Sequence, residues 1–139
     1  MNKPEKPNIQ QVIDRIKRLN RLSELDVREF ALEGGLADQV VQAIGTASLK
    51  PTQLRKVFHT LKTMQRDVDR ANRSDPFDSA KLLQLMPTLA YAVGRELIPK
   101  DFYQLLREVF KPERLPTNAD FLRAFEFVEA ILAYHKYRS

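Results

Sequence analysis

The sequence contains no cysteine and no tryptophan, and only four glycines among 139 residues. Without cysteine there is no disulfide framework, thiol nucleophile or cysteine–zinc site, which fits a reducing compartment. No run approaches the roughly 18 consecutive apolar residues of a membrane helix. The opening MNKPEKPN is polar and holds no apolar signal core. The expectation is a soluble cytoplasmic protein with no membrane partner. Phosphate-binding signatures are missing too: neither G-x-x-x-x-G-K-S/T nor G-x-G-x-x-G occurs. The two histidines, His59 and His135, are too far apart for a helical metal pair, and each is expected on a helix surface. Asp67, Asp69, Asp75 and Asp78 do not make a calcium loop, because Ala71 stands where an oxygen ligand is required and no closing Glu follows. Glu126 and Glu129 share one side of a helix, where ordinary salt bridging accounts for them. The chain offers no catalytic constellation, no cofactor site and no metal site, so it is not expected to be an enzyme.

What is present is helix-forming and basic. Hydrophobic residues make up 43% of the chain, enough for a core, and good helix formers dominate with no alternating β-branched runs. The fold class expected is all-α: a single compact bundle of about six or seven helices, one of them long and basic. Lys and Arg number 23 against 18 Asp and Glu, a net charge of +5. That balance favours an anionic partner, nucleic acid or a membrane surface.

Taken in order, residues 1–7 read as a flexible tail with Pro4 and Pro7 among charges. Asn8 caps a first helix whose apolar face is Ile9, Val12, Ile13, Ile16 and Leu19 and whose outer face carries Arg15, Lys17, Arg18 and Arg21. Ser23 with Asp26 resembles a capping box for a short helix reaching about Glu33, stopped by Gly34 and Gly35. Leu36, Val40, Val41 and Ile44 mark a third helix ending at Gly45. After the long basic helix, Ser74 or Asp75 is expected to cap a helix with Pro76 in its first turn. From Phe77 to Leu97 apolar residues are dense enough to predict the most buried helix, with a kink or break at Pro87. Asp101 caps the next, with Phe102, Leu105, Leu106, Val109 and Phe110 inward. Asn118 opens the last, holding Phe121, Leu122, Phe125, Val128, Ile131, Leu132 and Tyr134. Phe127 and Tyr137 lie off that apolar stripe and are expected to be partly exposed or to face a partner.

The segment Lys50–Arg73 organises the rest. Pro51 suits the first turn of a helix, where its missing N–H is harmless. Leu54, Val57, Phe58, Leu61, Met64 and Val68 recur at steps of three and four. Arg55, Lys62, Arg66, Arg70 and Arg73 form a second stripe, roughly 130–150° from the apolar face at 100° per residue. Lys50 and Lys56 add to the basic character, against only Asp67 and Asp69. Such a helix is about 35 Å long, so one side docks into a core while the other presents cations. Guanidinium groups suit phosphate oxygens because their planar fork matches them in two places. A solvated helix face is the plain alternative. For Arg95, near the end of the Phe77–Leu97 element, the choice is between complementing the helix dipole and contacting a ligand.

Three strings carry a resemblance. Thr52-Gln53-Leu54-Arg55-Lys56-Val57-Phe58 resembles the opening of the signature helix in the small subunit of the type III-A (Csm) CRISPR effector complex. Leu85-Met86-Pro87-Thr88-Leu89-Ala90-Tyr91-Ala92-Val93-Gly94-Arg95 resembles that family's Pro-x-Leu-Ala-Tyr-x-x-Gly-Arg segment. Phe121 to Lys136 resembles its closing aromatic helix, with Glu-Ala-x-x-Ala-Tyr-x-Lys. The likeness covers about residues 36–136, with the helices of 8–33 outside it.

The resemblance implies a helical bundle without catalysis of its own, in contact with CRISPR guide RNA and target RNA, with backbone and large subunits of the complex, and with copies of itself. Matched to this sequence, RNA contacts are expected from Lys50, Arg55, Lys56, Lys62, Arg66 and Arg95; Arg55 and Arg95 stand in the resembling motifs, while Lys62, Arg66 and Arg70 come from the stripe alone. Tyr91 and Tyr134 are read as core. Two other classes stand beside it: a helix-turn-helix DNA-binding regulator turning at Gly34–Gly35 or Gly45, and a protein-only scaffold whose basic stripe meets an acidic patch.

Overall fold

A computed structural model describes residues 7–139, so most of the tail expected over residues 1–7 lies outside the described residues. Among those described, seven α-helices follow one another: α1 (Ile9–Lys17), α2 (Val27–Phe30), α3 (Leu36–Ile44), α4 (Pro51–Asp69), α5 (Ala80–Gly94), α6 (Lys100–Val109) and α7 (Asn118–Arg138). Short 3-10 turns occupy Leu22–Glu24 and Pro112–Arg114, and no strand forms among these residues. The all-α expectation holds.

The longest helix, α7, is the mast. Thr117 and Asp120 close its start with a capping box, each satisfying a backbone N–H or hydroxyl of the other's turn. Packed against α7 are α3 and α4, while α1 lies on α3 and α6, and α6 supports α5. α7 buries Phe121, Ala124, Phe125, Phe127, Val128 and Ile131. A buried Phe, Leu or Ile side chain contributes about 1.5–3 kcal/mol relative to exposure, so α7 carries much of the bundle's stability. It is therefore α7, not the Phe77–Leu97 segment, that is the most buried helix. The high apolar content of α5 misleads because Leu82, Leu85 and Leu89 go inward while Leu83 and Tyr91 stay outside.

Several local expectations change. Tyr91 is 67% exposed and not core. Phe127, expected at the surface, is fully buried and meets Phe30 edge-to-face with ring centroids 5.4 Å apart, because α2 covers the flank of α7 that periodicity alone leaves open. His135 is buried as well, with Nε2 bonded to the carbonyl of Leu49. Tyr134 is half-buried and donates to Ala31 O at 2.7 Å, and Tyr137 is exposed as expected. Asp26, not Ser23, caps α2, accepting Arg28 N at 2.8 Å. Ser23 instead donates its N–H to Asp120 at 2.9 Å.

Pro76 does not start a helix. It pairs with Thr117 in an isolated antiparallel bridge, and Phe77 stacks on Phe121 at 4.5 Å. α5 consequently begins later, at Ala80, whose N–H is received by Asp78 Oδ1 at 3.0 Å. The helix then runs unbroken through Pro87. Two glycines are required where they stand. Gly45 closes α3 at φ +87, a left-handed conformation that side chains disfavour. At Gly35 a Cβ would meet Glu29 O at 2.8 Å.

Candidate nucleic-acid interface

Lys50 is the N-cap of α4 and Pro51 its first residue, as the sequence suggests. The helix buries Leu54, Val57, Leu61 and Met64 against the bundle. It spans 19 residues, about 28 Å at 1.5 Å per residue, and not the full Lys50–Arg73. Arg70 is its C-cap, and Arg73 lies in the loop beyond, where its carbonyl receives Ala119 N at 2.9 Å. The loop leaves the helix because Asn72, Arg73 and Asp75 give their backbone oxygens to the first turn of α7.

Arg55, Lys56, Arg66 and Arg70 are exposed on α4. Lys62 is half-buried with its ammonium 5.5 Å from the ring centroid of Phe125, so it leans toward α7. Lys56, one position on from Arg55, lies about 100° around the helix from it and is exposed. Arg95 is on another element: it caps the end of α5, with its guanidinium carbon 5.8 Å from the ring centroid of Tyr91. The fold thus keeps Arg55, Arg66 and Arg70 together on the outward face of α4 and separates Arg95 from them. His59 shares this outward face, one turn after Arg55 and three residues before Lys62, and is exposed. Helical spacing alone places it there.

Several cations elsewhere are engaged within the fold. Arg15 holds Glu29 at 2.6 Å, Arg21 holds Asp120 at 2.7 Å, and Arg28 holds Asp26 at 2.8 Å. Arg114, buried between two helix ends, binds Glu108 Oε2 at 3.0 Å and the carbonyl of Glu108 at 2.9 Å. Arg138 clamps the buried Asp38. The carboxyls report these contacts. The hydrogen bond from Arg15 lowers the pKa of Glu29. Burial pushes Asp120 upward, and hydrogen bonds from Arg21, Ser23 and Thr117 outweigh it, holding the group well below the carboxylate range. Among the described residues, no ion pair involves Lys50, Arg55, Lys56, Lys62, Arg66, Arg70 or Arg95. The first-helix cluster is thereby used inside the fold at Arg15 and Arg21, whereas the α4 cations remain available for an outside anion.

Several grooves border α4, one of about 450 Å³ on the α7 side being lined by Arg55, Phe58, Glu129 and Lys136. Another on that side, of about 230 Å³, is lined by Lys62 and Arg73 but also by Asp69, Glu126 and Glu129. On the α5 side, a wider groove of about 480 Å³ has no carboxylate in its lining. No group of His, Asp or Glu among the described residues is arranged to hold a metal ion. Among those residues, no helix is long and apolar enough to cross a membrane.

The family model described as Csm2 Type III-A matches residues 28–139. No curated protein and no solved structure matches the chain.

Proposed function

The chain belongs to the Csm2 family and is a small subunit of the type III-A CRISPR complex, and we propose that within this complex it binds the sugar-phosphate backbone of guide and target RNA without sequence preference and without catalysis. The observation that supports this reading is the row of unpaired cations on the outward face of α4. A guide changes sequence from one target to the next, so a contact useful for every guide has to ignore base identity. Phosphate contacts do so, positioning a strand without reading it. The subunit works beside backbone and large subunits and further copies of itself in the cytoplasm. One copy supplies few contacts, and a row of copies on one strand gains through effective concentration.

The test is reversal of Arg55, Lys62 and Arg66 to Glu in the assembled complex. The expected result is loss of RNA retention and of target-dependent activity with the fold intact. Unchanged retention in that variant would overturn the reading. A footprint on one duplex DNA sequence would replace it with a helix-turn-helix regulator, and copurification without nucleic acid would replace it with a protein-only scaffold.

A further inference from the structure

We propose that the groove between α4 and α5 recognises the ribose 2′-hydroxyl, so that this surface distinguishes RNA from DNA. The inference deepens the RNA-backbone reading and rests on it. Thr60 and Thr63 line the α4 wall of the groove. Each hydroxyl donates to a carbonyl one turn back: Thr60 Oγ1 to Lys56 O and Thr63 Oγ1 to His59 O, both at 3.2 Å. With each proton directed to a helix carbonyl, the lone pairs of both oxygens are left to accept from a group in the groove. A phosphate oxygen, itself an acceptor, would have to displace those helix bonds to gain from them. The ribose 2′-hydroxyl is a donor, and it is the group that separates RNA from DNA.

The opposite wall supplies what the rest of a nucleotide needs. Lys81, Gln84 and Thr88 succeed one another along one face of α5, and the ammonium and the amide offer donors to phosphate or to the 2′-oxygen. Met64 and Leu85 form an apolar floor for the carbon side of a sugar ring. Lys81 also lies 3.7 Å from Asp67, an exposed pair at one end that leaves its other protons free. The lining of the α5 groove holds no carboxylate, whereas on the α7 flank Asp69, Glu126 and Glu129 are mixed with Lys62, Arg73, Arg55 and Lys136.

The experiment measures affinity of the full chain at low salt for one single-stranded sequence made as RNA, as DNA and as 2′-fluoro RNA, which keeps an acceptor at the 2′ position but cannot donate. Wild type is expected to bind RNA roughly three- to tenfold more tightly than either analogue, the worth of one or two hydrogen bonds. T60V/T63V keeps the side-chain shape and is expected to bring RNA affinity down to that of DNA with an unchanged salt dependence. Equal, salt-sensitive binding of all three strands overturns the groove proposal and leaves the cation stripe standing. Preference for RNA and 2′-fluoro RNA alike also overturns it, since shape and not the donor is then being read. Binding of none of the three overturns the groove proposal, and the charge-reversal variant in the assembled complex then decides the cation stripe separately. The analogue series uses the unmodified protein, so its outcome does not depend on whether the variant folds.

Discussion

Arg21 and Asp120, 99 residues apart in the chain, are joined by two parallel hydrogen bonds of 3.0 and 2.7 Å. Asp120 is fully buried and also receives the N–H of Ser23 and the N–H and hydroxyl of Thr117. One carboxylate thereby caps α7 and fastens the segment after α1 to it. The family match begins at residue 28, so this bond ties residues ahead of the match to residues within it.

Replacing that carboxylate tests how much the junction holds. D120N keeps the shape but removes the charge and one acceptor, leaving Arg21 and part of the cap unpaired. Breaking a buried pair on one side costs about 3–5 kcal/mol, and the partial exposure of Arg21 reduces this to roughly 2–3 kcal/mol. The check is a fall in the urea midpoint with an unchanged slope.

Acid titration should act through the same group and through Asp38. The hydrogen bond from Arg138 leads in holding Asp38 down to about 2, and Asp120 is also depressed. Depressed carboxyls stabilise the fold above their unfolded pKa of about 3.9. That contribution is lost as pH falls through the folded values. Thermal unfolding should therefore be insensitive to these groups between pH 7 and about 5 and fall between roughly pH 4 and pH 2. D38N and D120N should each flatten that fall.

Removal of residues 1–26 should prevent cooperative folding even though the family match stays whole. Val12, Ile13, Ile16, Leu19, Leu22 and Leu25 belong to the same buried cluster as α6 and α7. Their loss strips the apolar faces of α3 and α6. The expected readout is aggregation in gel filtration and no sharp melting transition. The milder I16A should lower stability by about 2–5 kcal/mol.

Pro87 offers a gain. It sits inside α5 on the exposed side and leaves the carbonyl of Leu83 without its helical donor. P87A restores that bond and should stabilise the chain by about 1–3 kcal/mol, read as a higher melting temperature. A reduction would mean that the proline ring packs against a neighbour.

Salt should scale with the number of phosphates met. With Arg55, Lys56, Arg66 and Arg70 engaged, log affinity for single-stranded RNA should fall against log salt with a slope of about −3. R66A should bring it to about −2, whatever the RNA sequence.

The helices were legible because their apolar residues recur at helical spacing, and the ends of α1, α3 and α4 were legible because Asn8, Gly45 and Pro51 act within one turn of where they stand. Misreadings arose where a partner from far along the chain decides. Pro76 looks like a helix start until Thr117 pairs with it. Phe127 and His135 look external until α2 and the Leu49 carbonyl cover them. Tyr91 looks internal because its neighbours are apolar, but among the described residues no element is packed over it.

The sequence by itself determined a cysteine-free, all-helical chain with cations spaced along one side of α4, since charge and periodicity are local properties. Only the tertiary structure decided which cations are free. Arg15, Arg21 and Arg138 look as available as Arg55 and Arg66 when read in line. They are withdrawn because folding brings Glu29, Asp120 and Asp38 within reach, and an ion pair depends on distance in space, which chain order does not give.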